Sequence, residues 1–314
     1  MLGNETRITE IILLGFGELT DFQILLFLVF LVIYIVSISG NILIFVIVIF
    51  SQHLHTPMYF FLGNISFLDI CYTSNILPRM LLALLTGNKV ISFSNCLMQW
   101  YLVGSLLVTE CCLLCAMSYD RYLAVCKPLH YVTMMKTQTC VKLAVTSWIN
   151  GFTVFMILLI LLLQLNFCGP NEIDHYFCDY FPILKLSCSD TKMIIQFGYL
   201  VDAMFTIPPF FLTLTSYVYI IATILKIPST TGKQKAFSTC SSHLIVVSVF
   251  YGSLIIVYML PKNEGKHDVT KFYSLLYIVL PPLLNPFVYT LRNKEVKEGL
   301  KNVIGKIVCY KLIP

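Results

Sequence analysis

Asp69, Glu110 and the adjacent pair Asp120 and Arg121 stand in otherwise apolar stretches, and their types and spacing are what could do work. Asp120 and Arg121 sit at the foot of a long apolar run, with Tyr122, Pro128 and Tyr131 following closely. An ion pair where hydrocarbon meets cytosol is costly to keep, so it reads as functional. The chemistry on offer is an exchange of partners: Arg121 holds Asp120 in one state and points into an opened cavity in another. Read as a helix, the same run carries an inward stripe of Val103, Leu107, Glu110, Leu114, Met117 and Arg121. Glu110 and Arg121 then share a face, about 16 Å apart along the axis. Asp69 lies midway along another apolar run, where a carboxylate needs a proton or a partner. Asp69 and Glu110 facing each other across a bundle could hold a cation such as sodium. The alternative is a hydrogen-bonded pair that serves packing alone.

Such side chains need elements that hold them at depth. The 314 residues are 58% hydrophobic and 12% charged, with mean hydropathy +0.83. A soluble domain carries about 25% charged residues, and a soluble all-α core of this composition would have nothing polar to cover it. A helix needs about 20 apolar residues to cross a bilayer. Seven runs qualify: 22–50, 57–85, 97–121, 143–165, 194–225, 236–260 and 272–292. The expected fold is an all-α membrane protein, one seven-transmembrane helix bundle over 1–314 with residues 1–21 extracellular. That orientation puts 13 of the 21 Lys and Arg inside and eight outside, in line with the positive-inside rule. The net charge of +5 is therefore a topology signal and does not point to nucleic acid. Residues 293–307 place Val296, Leu300, Val303, Ile304 and Ile307 on one face, an amphipathic helix for the inner leaflet. The polar start lacks a basic segment ahead of an apolar one, so the first run is expected to act as its own insertion signal. Asn4-Glu5-Thr6 is a glycosylation sequon on the outer side. Of the twelve cysteines, Cys96, Cys168, Cys178 and Cys188 fall outside, and four cysteines allow three pairings.

Further motifs punctuate the spans. Gly40-Asn41 lies in the first; Pro57-Met58-Tyr59-Phe60-Phe61-Leu62 and Ser66-Phe67-Leu68-Asp69 mark the second; Ser216-Tyr217 marks the fifth. The sixth opens with Lys235-Ala236-Phe237-Ser238-Thr239-Cys240-Ser241-Ser242-His243, and the seventh ends with Pro282-Leu283-Leu284-Asn285-Pro286-Phe287-Val288-Tyr289. In this order, and with the stretch from Met117 to Tyr131, the chain closely resembles the olfactory (odorant) receptors. These are rhodopsin-like G-protein-coupled receptors, and the resemblance is to the tetrapod-type class II group. It covers nearly the whole chain. Other rhodopsin-like receptors share the Asp-Arg pair and the Asn285-Pro286 step; the openings of the second and sixth spans are much narrower signatures.

The resemblance implies a receptor in the plasma membrane of olfactory cilia that raises cyclic AMP through a stimulatory heterotrimeric G protein. It implies disulfides Cys96–Cys178 and Cys168–Cys188, and no cofactor beyond a sodium ion at Asp69 and Glu110. The expected switch and coupling residues are Asp120, Arg121, Tyr122, Tyr217, His243, Asn285, Pro286 and Tyr289. Tyr217 and Tyr289 would offer their hydroxyls to Arg121, and Pro208-Pro209 and Pro286 would interrupt and kink their helices. A ligand cavity is expected among the outer halves of the third, fifth, sixth and seventh spans. Its walls would be Val103, Gly104, Leu107, Val108, Asp202, Phe205, Thr206, Tyr251, Leu254, Ile255, Tyr258 and Tyr277. Such a lining suits small, largely apolar ligands with one polar group; Asp202 either meets that group or turns toward water or the outer loop. A transporter would want inverted repeats and a polar path, and the chain has neither. No Gly-rich phosphate loop, His-Glu-x-x-His or serine elbow suggests an enzyme. The serious rival is a rhodopsin-like receptor for a small molecule that is not an odorant.

Overall fold

The computed structural model describes residues 8–17, 22–51, 54–255 and 267–292. In chain order they form β1 (Glu10–Leu13), α1 (Gln23–Phe50), α2 (Pro57–Thr86), β2 (Val90–Ser92), α3 (Phe93–Cys126), α4 (Pro128–Met134) and α5 (Thr137–Leu163). β3 (Glu172–Ile173), α6 (Tyr180–Leu184), α7 (Lys192–Leu225), α8 (Thr230–Leu254) and α9 (His267–Arg292) follow. Five of the helices, α1, α2, α3, α5 and α7, are long and apolar enough to cross a membrane; α8 and α9 carry shorter apolar runs. Asn4, Tyr258 and the expected amphipathic helix at 293–307 lie outside the described residues, as do the side chains of Tyr277 and Tyr289.

α3 is the centre of the bundle. It packs against α2, α5, α7 and α8, while α9 closes on α1, α2 and α8. Over its most apolar eighteen residues α3 is 78% buried, against 22% for α1. α1 is apolar on all sides, yet it buries only the stripe Phe30, Ser37, Asn41, Ile44 and Ile47. Ile24, Leu28, Val32 and Ile35 face outward, a surface only hydrocarbon would suit.

Local chemistry moves the helix ends away from the hydropathy boundaries. Ser92 caps α3, its Oγ accepting from the Asn95 N–H at 3.3 Å, so the helix starts at 93 and not 97. Pro128 stops it, because the residue before a proline is pushed out of helical ψ; Lys127 sits at φ −136°, ψ 57°. The inner end is therefore Cys126, past the expected 121. α5 begins at Thr137 rather than 143, and α8 at Thr230 rather than 236, where Ser229 caps the Gly232 N–H.

α7 continues past Pro208 and Pro209, and α9 past Pro281, Pro282 and Pro286. Pro286 has no N–H to give the Pro282 carbonyl one turn back. That orphan carbonyl accepts instead from Ser37 Oγ at 3.0 Å and Asn41 Nδ2 at 2.9 Å on α1. Gly40 makes the approach possible, since a Cβ there would stand 2.7 Å from Pro286 Cβ. The Gly40-Asn41 motif is thus a seat for the proline of α9.

A small sheet covers the outer face, which hydropathy did not foresee. Its order is β2-β1-β3. β1 pairs antiparallel with β2, Ile11 opposite Ile91, and parallel with β3, Leu13 opposite Ile173. Ile11 and Leu13 are buried while Glu10 is exposed, the period-two alternation of a strand. Disulfides join Cys96 to Cys178 and Cys168 to Cys188, with Cα separations of 5.4 and 5.8 Å. Beside the first, Gln99 Oε1 accepts the Cys178 N–H at 3.0 Å, fixing the second outer loop to α3.

Candidate functional site

At the inner end of α3 the carboxylate of Asp120 is fully buried. Its Oδ2 accepts from Arg121 Nε at 3.0 Å and Nη2 at 2.5 Å, and its Oδ1 accepts from Tyr131 Oη on α4 at 2.9 Å. Sequence reading gave Tyr131 no role. Pro128 restarts the helix between the two residues, so no helical period links them and only the fold brings them together. Burial, and then the Asp120 carboxylate, push the Tyr131 phenol well above the usual tyrosine range, which keeps it a donor. Arg121 stays mostly covered and lies in electrostatic range of Cys240 and His243 on α8.

Around this node the inner ends of three helices are shut. Tyr217, Ile220 and Ile224 of α7 and Cys240 of α8 form a buried cluster, with Tyr122, Val125 and Cys126 of α3 packed on it. In this closed arrangement Tyr217 has a partner on α8. Its hydroxyl shares a 2.5 Å hydrogen bond with His243 Nδ1 across α7 and α8, both side chains being buried.

Midway along the bundle the structure brings Asp69, Glu110 and Asn285 together. Asp69 is fully buried and Glu110 is 3% exposed, and the two carboxyls are within electrostatic reach. Asn285 Nδ2 donates to Asp69 Oδ2 at 2.7 Å. Asp69 Oδ1, Glu110 Oε1, Asn285 Oδ1 and Ser66 Oγ, one turn before Asp69, are buried with no hydrogen-bond partner among the described residues. Carboxylate, amide and hydroxyl oxygens are the donors a hard cation prefers. Among the described residues no three of His, Cys, Asp and Glu converge, so a cation here would rest on two carboxylates and neutral oxygens.

The expected outer cavity is only partly assembled by the described residues. Val103, Tyr251 and Leu254 share one buried cluster, with Leu107 packed against it. Tyr251 donates to the Cys111 carbonyl at 3.3 Å and lies edge-on to Phe210. Asp202, Phe205 and Thr206 are half-buried on α7, and Ile255 is half-buried at the end of α8. Asp202 lies in electrostatic range of Tyr180 in the second outer loop, whose phenol burial and then Asp202 push upward. Val108 groups with Phe155, Leu158 and Val201. Gly104 is a correction. A Cβ there would stand 1.8 Å from the Phe155 ring, so this position is the α3–α5 contact and not a cavity wall.

Residues 30–309 match the family model described as olfactory receptor. The chain belongs to the olfactory receptor family. It is similar along its length to human "Olfactory receptor 6C3", 48% identical over 310 residues that cover 98% of this chain and 99% of that one. Human "Olfactory receptor 11A1" is 47% identical over 310 residues, 98% and 96% of the two chains. For human "Olfactory receptor 6N1" the figures are 46% over 305 residues, 97% and 98%. The receptor is therefore a multi-pass membrane protein with the family's seven-helix bundle, made here by α1, α2, α3, α5, α7, α8 and α9. The family is one of receptors, not enzymes.

Proposed function

We propose that this receptor binds small, largely apolar odorants between the outer halves of α3, α7, α8 and α9 and activates a stimulatory heterotrimeric G protein to raise cyclic AMP. The observation that carries this reading is the closed inner node. Arg121 is held by Asp120, Asp120 is held by Tyr131, and the apolar cluster of α3, α7 and α8 covers them. Such an arrangement has a second state, in which α8 swings out and Arg121 faces the opening. A ligand shifts the balance only by binding the open state more tightly. Contacts from Val103 and Leu107 on α3 and Tyr251 and Leu254 on α8 would supply that difference. The G protein would meet the basic inner ends, with Tyr122, Arg121 and Tyr217 beneath it; Pro286 and Tyr289 on α9 belong to the same moving end. The N-terminus lies outside, glycosylated at Asn4, in a plasma membrane such as that of olfactory cilia. Asp69 and Glu110, with Asn285 and Ser66, would hold a sodium ion, whose charge would fix the two carboxylates in the resting bundle.

The test is a cyclic AMP assay in cells expressing the receptor, screened against a broad odorant panel. Arg121→Ala should drop every response to background while surface expression stays near the parent level. A full response from that variant would sink the mechanism.

A further inference from the structure

On the outer face, away from the odorant walls, a cavity of about 260 Å³ opens between the segment after β1, the outer ends of α1 and α2, and the second outer loop. Its walls are apolar, with Leu13, Leu26, Met80 and Leu84 among them. Two cations, Arg79 and Lys89, also line it. Among the described residues each is engaged by one backbone carbonyl: Arg79 Nη2 donates to Val90 O, and Lys89 Nζ donates to Gly17 O at 3.0 Å. Neither has a carboxylate partner among the described residues, where the ion pairs are Arg121–Asp120 and Lys271–Asp174. A guanidinium offers five donors and an ammonium three, so most of their capacity is unspent.

Two half-buried cations over an apolar floor are a costly combination unless an anion completes them. Drug-sized ligand sites run from about 300 Å³ upward, so this one suits something smaller. We propose that it is a second small-molecule site, taking a carboxylic acid with a short alkyl tail. The carboxylate would sit between Arg79 and Lys89 in charge-assisted hydrogen bonds, and the tail would lie on Leu26, Met80 and Leu84. An occupant here would bridge the segment after β1 to the outer ends of α1 and α2.

The probe is octanoate, with octanol as its uncharged twin, added to the full-length receptor in phosphatidylcholine nanodiscs. Binding is read by saturation-transfer NMR and by the thermal unfolding midpoint. Octanoate should bind and raise the midpoint, and octanol should do so at least about tenfold more weakly, since one charge-assisted bond is worth more than a factor of ten. Arg79→Gln with Lys89→Gln should weaken octanoate by a similar factor. Ala83→Phe, which fills the cavity and keeps both cations, should abolish binding even if the double variant folds poorly. Leu107→Trp, which blocks the odorant walls, should leave octanoate unaffected, so failure here is separable from failure of the odorant reading. Equal binding of octanol once Leu107→Trp has closed the odorant walls, insensitivity to Ala83→Phe, or loss of octanoate in Leu107→Trp would each overturn the proposal. So would octanoate binding seen only after Glu18→Gln and Asp21→Asn, which would mean that the chain's own carboxylates satisfy the cations.

Discussion

Two acidic nodes sit on the same bundle and are treated in opposite ways. At the inner end both oxygens of Asp120 are taken, one by Arg121 and one by Tyr131. In the middle, Asp69 has one oxygen bonded to Asn285 and one bare, and Glu110 keeps Oε1 without a partner among the described residues. A satisfied buried charge rigidifies the place where it sits; a half-satisfied one is expensive unless something else completes it. The inner node therefore reads as a latch complete within the chain, and the middle one as a socket that awaits a cation or a proton. The two should respond to neutralisation with different size and sign.

The largest effect is expected for Asp120→Ala. It strips Arg121 and Tyr131 of their shared partner and should cost about 3 kcal/mol, the low end for breaking a buried pair, because Arg121 can still snorkel toward water. A lowered unfolding midpoint in purified receptor, with raised basal cyclic AMP, would support the latch; an unchanged midpoint would remove it. Asp69→Asn comes next. It weakens the charged acceptor of Asn285 and should cost about 1.5–2 kcal/mol, together with any stabilisation by sodium chloride over potassium chloride.

Tyr131→Phe should cost about 1 kcal/mol, one hydrogen bond to a carboxylate at a half-buried site. Its pH behaviour is the sharper readout. The folded receptor holds the phenol above its unfolded value near 10. This contribution is fully present below that value and is lost as pH rises through the raised one. The parent should therefore lose stability in alkali more steeply than the phenylalanine variant. Glu110→Gln is the smallest in potassium chloride. It breaks no bond to Oε1 and relieves a like charge beside Asp69, so stability there should hold or rise by up to about 1 kcal/mol, while the response to sodium disappears. A large loss from Glu110→Gln in potassium would make Glu110 a structural acid and erase the contrast between the nodes.

Much of this was legible before any coordinates. Periodicity put Glu110 and Arg121 on one face of one helix, and the helices that carry Asp69 and Asn285 were plain from hydropathy. Illegible were the places where a side chain meets a different element. Tyr131 reaches Asp120 across a proline break, the partner that His243 takes is Tyr217, and Gly104 is consumed by Phe155. Each depends on how two helices are rotated against one another, and a single strand of letters holds no rotation. The outer sheet escaped for another reason. Its strands are four, three and two residues long, too short for an alternating pattern to stand out.

By itself, then, the sequence determined the solvent, the number of spans and the family, because hydrophobic length and local motifs are properties of contiguous residues. Only the tertiary structure decided which buried charges are satisfied, where the Pro282 carbonyl finds its donors, and that two cations share an apolar cavity on the outer face. Those outcomes hang on distances between segments far apart in the chain, which burial and hydrogen bonding fix only once the helices have packed.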